Sequence, residues 1–223
     1  VLKEGFVGRR REIQKGKQLL QGISPEEESP KSGLIIRGPA GIGKSCLAGK
    51  LIERFREKEL VVVHGELKEA DLTLKLLNLL ERKGHRVGLE ILKTDRSFEE
   101  KILDLFRSVF NELGTLFYFD DFEQNLLPQN GRHRLAPAAT PLFRPFLKAL
   151  EWSEDHSLLM ISSRYPFVME HRGEDLYQKL GEITLASLRE ADLEKKTAEL
   201  PSINGSEYRK DYLSFGGGNP RLL

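Results

Sequence analysis

Eight consecutive residues, Gly38-Pro39-Ala40-Gly41-Ile42-Gly43-Lys44-Ser45, combine three permissive glycines with one long cation and one hydroxyl. Glycine accepts φ > 0, so successive backbone N–H groups can turn into one concavity and donate to an anion. A helix beginning near Lys44 would bring the positive end of its dipole to the same point. Lysine at this spacing reaches the outer phosphates of a nucleotide, and a serine hydroxyl beside it can ligate Mg²⁺. The pattern is a Walker A loop, and the chemistry is the grip of a nucleotide's phosphate tail. Contacts are expected at Pro39, Ala40, Gly41, Ile42, Gly43, Lys44, Ser45 and Cys46, the last a small buried residue packed directly after the loop.

A second constellation supplies acids. Leu116-Phe117-Tyr118-Phe119 runs into Asp120-Asp121, a Walker B pattern. This strand is expected beside the strand that feeds the glycine loop, with Asp120 next to Ser45 as the carboxylate on the Mg²⁺ side. Asp121 could orient or deprotonate an attacking water, with Glu123 as its rival, because geometry selects a general base before pKa does. Arg164 follows the apolar run Leu158-Leu159-Met160-Ile161. It could reach a γ-phosphate bidentately, or simply form a surface salt bridge. His64 reads as a supporting or solvent-exposed group, and the other histidines lack metal-ligand spacing.

These groups need a scaffold with strand ends on one edge. Leu34-Ile35-Ile36-Arg37 before the loop reads as a buried parallel strand, and Leu47, Leu51, Ile52 and Phe55 after it as the inner face of a helix. Leu60-Val61-Val62-Val63 reads as a second buried strand and Glu182-Ile183-Thr184-Leu185 as a fifth. Between them lie a leucine-rich helix over 70–82, a patternless loop over 84–96, and a helix opened by the capping box Ser97-Phe98-Glu99-Glu100 and stopped by Gly114. That helix should bury Ile102, Leu103, Phe106, Val109, Phe110 and Leu113. A polar, proline-rich segment over 125–141 precedes a helix from Leu142 to Trp152, and helical periods return after Ser187. Alternation of this kind predicts an α/β P-loop NTPase three-layer sandwich with a five-stranded, mostly parallel sheet, plus the start of a small helical lid. The division expected is 1–186 for the nucleotide-binding domain and 187–223 for a truncated lid segment.

Composition narrows the partners. With 35 Lys and Arg against 34 Asp and Glu, the net charge of +1 argues against a nucleic-acid or membrane surface built on bulk charge. Arg9-Arg10-Arg11 with Lys15 and Lys17 is the one basic cluster, and a solvated helix face accounts for it. A single cysteine permits no internal disulfide, which suits a reducing, cytoplasmic setting. No apolar run approaches the ~18 residues of a membrane span. The opening Val1 and the ending Leu222-Leu223, directly after a motif, read as a piece of a longer protein.

Taken together these residues resemble the STAND class of AAA+-related ATPases, signal-transduction switches that include NB-ARC and NACHT proteins and bacterial relatives. Phe6-Val7-Gly8-Arg9 is similar to the family's N-terminal element, which wraps the adenine. Tyr118 to Asp121 resembles its Walker B, and Ile161-Ser162-Ser163-Arg164 its sensor-1. Gly217-Gly218-Asn219-Pro220 resembles its lid motif, in which the proline, here Pro220, contacts the base. The family's usual winged-helix domain and sensor repeats are missing from this sequence. The resemblance implies an ATP/ADP-binding switch with Mg²⁺ and slow hydrolysis, answering to flanking domains of a longer chain. In such a switch ADP holds domain and lid closed, and ATP exchange permits homo-oligomerisation or effector activation.

Two alternatives stand beside this reading: an AAA+ ATPase of a DNA-directed machine, of origin-loading or transposition type, and a non-hydrolysing ADP-binding scaffold. Ser214-Phe215-Gly216-Gly217 superficially looks like an ABC signature but follows the Walker B acids instead of preceding them. No guanine-reading Asn-Lys-x-Asp occurs. A small-molecule or nucleoside kinase would leave the paired acids and the terminal Gly-x-Pro unexplained.

Overall fold

A computed structural model of the chain describes residues 8–22, 33–152, 156–188, 190–198 and 219. In chain order the elements are α1 (Arg10–Leu20), β1 (Gly33–Arg37), α2 (Lys44–Ile52), β2 (Glu59–His64), α3 (Glu69–Lys83), α4 (Arg86–Lys93), α5 (Phe98–Leu105) and α6 (Asn111–Leu113). There follow β3 (Thr115–Asp120), β4 (Leu126–Gln129), β5 (Arg132–Leu135), α7 (Thr140–Ala149), β6 (Leu158–Ser163), β7 (Glu170–His171), β8 (Glu174–Asp175), β9 (Leu180–Thr184) and α8 (Glu190–Ala198). The five main strands form one parallel sheet in the order β2-β3-β6-β1-β9.

Strand alternation assigns side chains to the two faces. Leu34, Ile36, Leu116, Tyr118, Leu158 and Met160 pack under α1 and α2. Ile35, Phe117, Phe119, Leu159 and Ile161 pack on the other side against α3, α5 and α7. That second layer is mostly phenylalanine. Phe119 meets Phe143 edge-on at 5.1 Å and Phe146 at 5.2 Å, and Phe117 meets Phe110 at 5.0 Å and Phe146 at 5.1 Å. Edge-to-face pairing adds to the burial of each ring.

The order corrects one expectation: β3 does not lie beside β1. β6 separates them, pairing with both. The physical reason is burial, since Leu158–Ser163 carries no charge and is buried at every position, as a central strand must be. β2 takes the edge. It was expected to be buried, yet Leu60 and Val62 are each 38% exposed, on the face where the described core cluster ends at β3's Leu116 and Tyr118.

Three local readings also change. Residues 84–96 are not a loop, because α4 forms there. Gly84 ends α3 at φ 62, His85 Nδ1 accepts the Gly88 N–H at 3.2 Å, and hydrogen at Gly88 lets α4 sit on Leu80. The proline-rich stretch holds the β4–β5 hairpin, whose turn is Asn130-Gly131 with φ of 49° and 74°. The helix opened by Ser97 is interrupted by a π turn at Phe106–Phe110 before α6. This buries Phe106, Val109 and Phe110, while Leu103 and Leu113 are only partly covered. Trp152, at the end of the helix expected from Leu142, is only partly buried. The helix expected from about Glu207 to Phe215, and most of the lid with it, lies outside the described residues.

One ion cluster ties α5 to α7. Glu99 accepts from Arg144 Nε at 3.1 Å, from Arg144 Nη2, and from Lys148 at 3.1 Å. The Arg144 hydrogen bond, outweighing the opposing effect of burial, with Lys148 adding to it, holds the Glu99 carboxyl below its ordinary 4.5. A depressed carboxylate stabilises the fold above its unfolded pKa and loses that contribution as pH falls through the folded value. Glu99→Gln is therefore expected to cost about 1 kcal/mol at neutral pH and to converge with the parent in strong acid, read by thermal melts across pH. Parallel curves at all pH values would remove the ion cluster from the account.

Candidate functional site

The glycine loop leaves β1 at the carboxyl edge and enters α2 at Lys44. Gly38, Gly41 and Gly43 take φ of 152°, 77° and 100°. At Gly38 a Cβ would lie 2.9 Å from both Ile42 Cγ2 and the Leu185 carbonyl oxygen, so space as well as φ demands glycine. The loop is tied to its neighbours by Gly38 N–H donating to Ser163 O at 3.3 Å, while Leu185 N–H donates to Arg37 O at 2.7 Å. Ile42 is 2% exposed and part of the core, which leaves only its backbone for a ligand.

Lys44 is 7% exposed, and its ammonium donates to the carbonyls of Gly38 at 3.0 Å and Pro39 at 3.2 Å. Burial pulls its pKa down. Glu123 opposes that shift most, Arg164 adds to it, and Asp121 and Asp120 oppose it. The cation is thus held inside the loop it would use to contact phosphate. Cys46 was expected to be buried and is exposed, because Leu47, Ala48 and Leu51 supply the inward face of α2.

Asp120 and Ser45 meet as expected, although by a different route from adjacent strands. Residues i and i+2 of a strand share a face, so Asp120 lies on the Tyr118 side of the sheet, where α2 begins. Its Oδ1 accepts from Ser45 Oγ at 3.1 Å, Tyr118 OH at 2.6 Å, and Ser162 Oγ at the end of β6. Burial disfavours the Asp120 anion, but the Ser162, Tyr118 and Ser45 hydroxyls, with His64 nearby, outweigh it and hold the carboxyl below its ordinary range. Burial, with Asp120 beside it, pushes the Tyr118 phenol upward. The two oxygens of Ser45 and Asp120 are hard donors that suit Mg²⁺, which takes few protein ligands and completes its shell from phosphate and water.

The remaining acids divide. Asp121 sits at φ 52, a left-handed conformation that Asp tolerates, with its N–H donating to Ser162 Oγ at 3.2 Å. His64, 65% exposed, lies 3.6 Å from both Asp120 and Asp121 carboxylates. Glu123 turns elsewhere: its Oε1 is 2.7 Å from Arg164 Nε, and its Oε2 accepts the Arg164 backbone N–H at 3.2 Å. Arg164 borders a cavity of about 440 Å³ whose other walls are Arg37–Ala40, Tyr165, Thr184 and Leu185.

Gly8 and Arg9 lie at the start of α1. Arg9 is 8% exposed and donates to Ala186 O at 2.5 Å and Glu12 at 3.2 Å. A Cβ on Gly8 would come within 2.5 Å of the Asp192 carboxyl carbon, so the start of the N-terminal element packs against α8. Phe6, Val7 and Pro220 lie outside the described residues. Asn219, next to Pro220, donates to the loop carbonyl of Ala40 at 3.0 Å.

The sequence places Tyr118, Ser162 and Asn219 inside motifs but assigns none of them a contact. Tyr118 could have been found from its i, i+2 relation to Asp120, and Ser162 from being the polar end of an otherwise apolar central strand. The Gly217–Pro220 motif marks the neighbourhood of Asn219, but its bond to Ala40 depends on the fold.

No protein-family profile matches the chain, and no curated protein matches it significantly. Among solved structures it is similar to a signal transduction ATPase with numerous domains (STAND) protein with a tetratricopeptide repeat sensor from Pyrococcus horikoshii. The TM-score is 0.64 at 17% identity, over 97% of this chain and 29% of the other, so the chain spans under a third of that protein's length. Among the described residues no helix is long and apolar enough to cross a membrane. What the likeness shows is the fold: an α/β arrangement around a five-stranded parallel sheet.

Proposed function

We propose that the chain is the ATP/ADP-binding part of a signal-transduction ATPase switch, with residues 1–186 as its nucleotide domain and 187–223 as a lid segment. The observation that carries this is the convergence of Lys44, Ser45 and Asp120 on one glycine loop at the carboxyl edge of a parallel sheet. Lys44 and the loop N–H groups hold the β- and γ-phosphates, and Ser45 with Asp120 hold Mg²⁺. When bound, that ion neutralises charge developing on the phosphate oxygens.

The switch character rests on contacts between loop and lid. Asn219 reaches Ala40, and Gly8 packs on Asp192, so parts on both sides of residue 186 are in contact. A ligand shifts such an arrangement only by contacting its two states differently. ADP then favours the closed arrangement and ATP the open one, with self-association or effector activation through flanking domains as the output.

Hydrolysis is slow, and Asp121 is the group that orients the attacking water. Its carboxylate lies at the strand end, beyond the Asp120–Ser45 pair and beside His64, whereas both Glu123 oxygens are engaged. Asp121→Asn keeps the left-handed backbone tolerance and removes the basic oxygen. Phosphate release is expected to fall about a hundredfold, with ADP affinity unchanged. Unaltered turnover would reject Asp121, and absent turnover in the parent would favour a binding scaffold.

A further inference from the structure

We infer that Glu123 is the positioning residue that aims Arg164 at the γ-phosphate, and so sets the preference of the site for ATP over ADP. The inference rests on the reading of the glycine loop as a phosphate cradle.

The geometry begins with rigidity. Glu123 stands in the 3₁₀ turn Phe122–Asn125, directly after the acids of β3. Phe122 is fully buried on that turn, and Asn125 is 2% exposed. Asn125 donates to Gly65 O at 2.9 Å and accepts the Leu67 N–H at 2.8 Å, which locks the turn to the chain leaving β2. Arg164, by contrast, leaves β6 with half its side chain exposed, 49% against 12% for Glu123. An unrestrained arginine loses much rotamer freedom on gripping a ligand, and a carboxylate that fixes it beforehand lowers that cost.

The two carboxylate oxygens take different parts of Arg164. One pairs with Nε at 2.7 Å and the other accepts the main-chain N–H at 3.2 Å. Both ends of the side chain are thereby referenced to one rigid group. Among the described residues, Nη1 and Nη2 have no hydrogen-bond partner, and these are the nitrogens that could fork onto a phosphate. Arg164 lines the cavity beside Arg37–Ala40, whereas Glu123 is not among its lining residues, so of the pair it is the arginine that faces this space. Glu123 and Arg164 both act electrostatically on Lys44, in opposite senses, so the pair lies on the side of the loop where that ammonium sits. A bare carboxylate here would repel an anion. Paired, it presents N–H groups instead.

The reading separates Glu123 from a general base, which would leave binding alone, and from a competitor of phosphate, which would weaken ATP binding. Calorimetry of Mg·ADP and Mg·ATPγS with the parent, Glu123→Gln, Arg164→Ala and the double variant tests it. The expected result is a parent that prefers ATPγS and a Glu123→Gln variant whose preference falls about three- to tenfold with ADP affinity held. In Arg164→Ala the further Glu123→Gln change is expected to do nothing, because the carboxylate acts only through the guanidinium. Glu123→Asp, which keeps charge but shortens the reach, should lie between parent and Gln. An unchanged or increased preference in Glu123→Gln would overturn the inference while leaving the phosphate cradle intact. So would equal affinity of the parent for both nucleotides. Failure of ADP to bind the parent would overturn the cradle and this inference with it.

Discussion

Lys44→Ala is expected to weaken ADP and ATPγS binding about ten- to a hundredfold. The ammonium is buried, fixed between two loop carbonyls, and its charge is disfavoured by that burial. A phosphate arriving at the loop offers it a charge-assisted contact of about 1.5–3 kcal/mol. The loss should be specific to the ligand. In the nucleotide-free protein alanine removes a desolvated cation, so the unliganded melting temperature should not fall. With nucleotide at a hundred times the parent's Kd, the parent gains about 2.7 kcal/mol of stability, and a variant bound thirtyfold more weakly gains about 0.9 kcal/mol. Thermal melts at graded ADP read this difference. Equal nucleotide-induced shifts in parent and variant would show that the loop holds nothing through Lys44.

Phe119→Ala carries the largest expected stability effect. The ring is 1% exposed and meets Phe143, Phe146 and Phe122 at centroid separations of 5.1, 5.2 and 6.2 Å. Truncating a buried phenylalanine costs about 3–5 kcal/mol through lost transfer energy and an unfilled cavity. Against a total of about 5–15 kcal/mol this is a large fraction, and it falls beneath the residue that carries Asp120. Urea unfolding should show a lower midpoint with an unchanged slope. A cost under about 1 kcal/mol would mean that the aromatic layer does not hold β3 in place.

What could be seen in advance was mostly local chemistry. The glycine loop, the capping box at Ser97 and the stop at Gly114 are short-range backbone demands, and each stands where the residues imply. The meeting of Ser45 and Asp120 was also legible, because strand ends in a parallel sheet share one edge. Its route was not, since strand order depends on which apolar run is most completely buried. The uncharged Leu158–Ser163 carries the signal of a central strand, but the motif spacing does not rank it above the other strands. The Asn130-Gly131 hairpin carried a recognisable turn dipeptide that the surrounding prolines obscured. The π turn at Phe106 and the pairing of Glu123 with Arg164 have no sequence signature, because both arise from packing between distant segments.

The central claim, a glycine loop that grips a nucleotide's phosphates with Ser45 and Asp120 holding its metal, is tested most directly by calorimetric titration of ADP and ATPγS with and without Mg²⁺. The account predicts one-to-one binding of both nucleotides, tightened by Mg²⁺ for ATPγS, with the metal-dependent gain lost in Ser45→Ala. No saturable binding of either nucleotide at millimolar concentration, or a Mg²⁺ gain that survives Ser45→Ala intact, would contradict it.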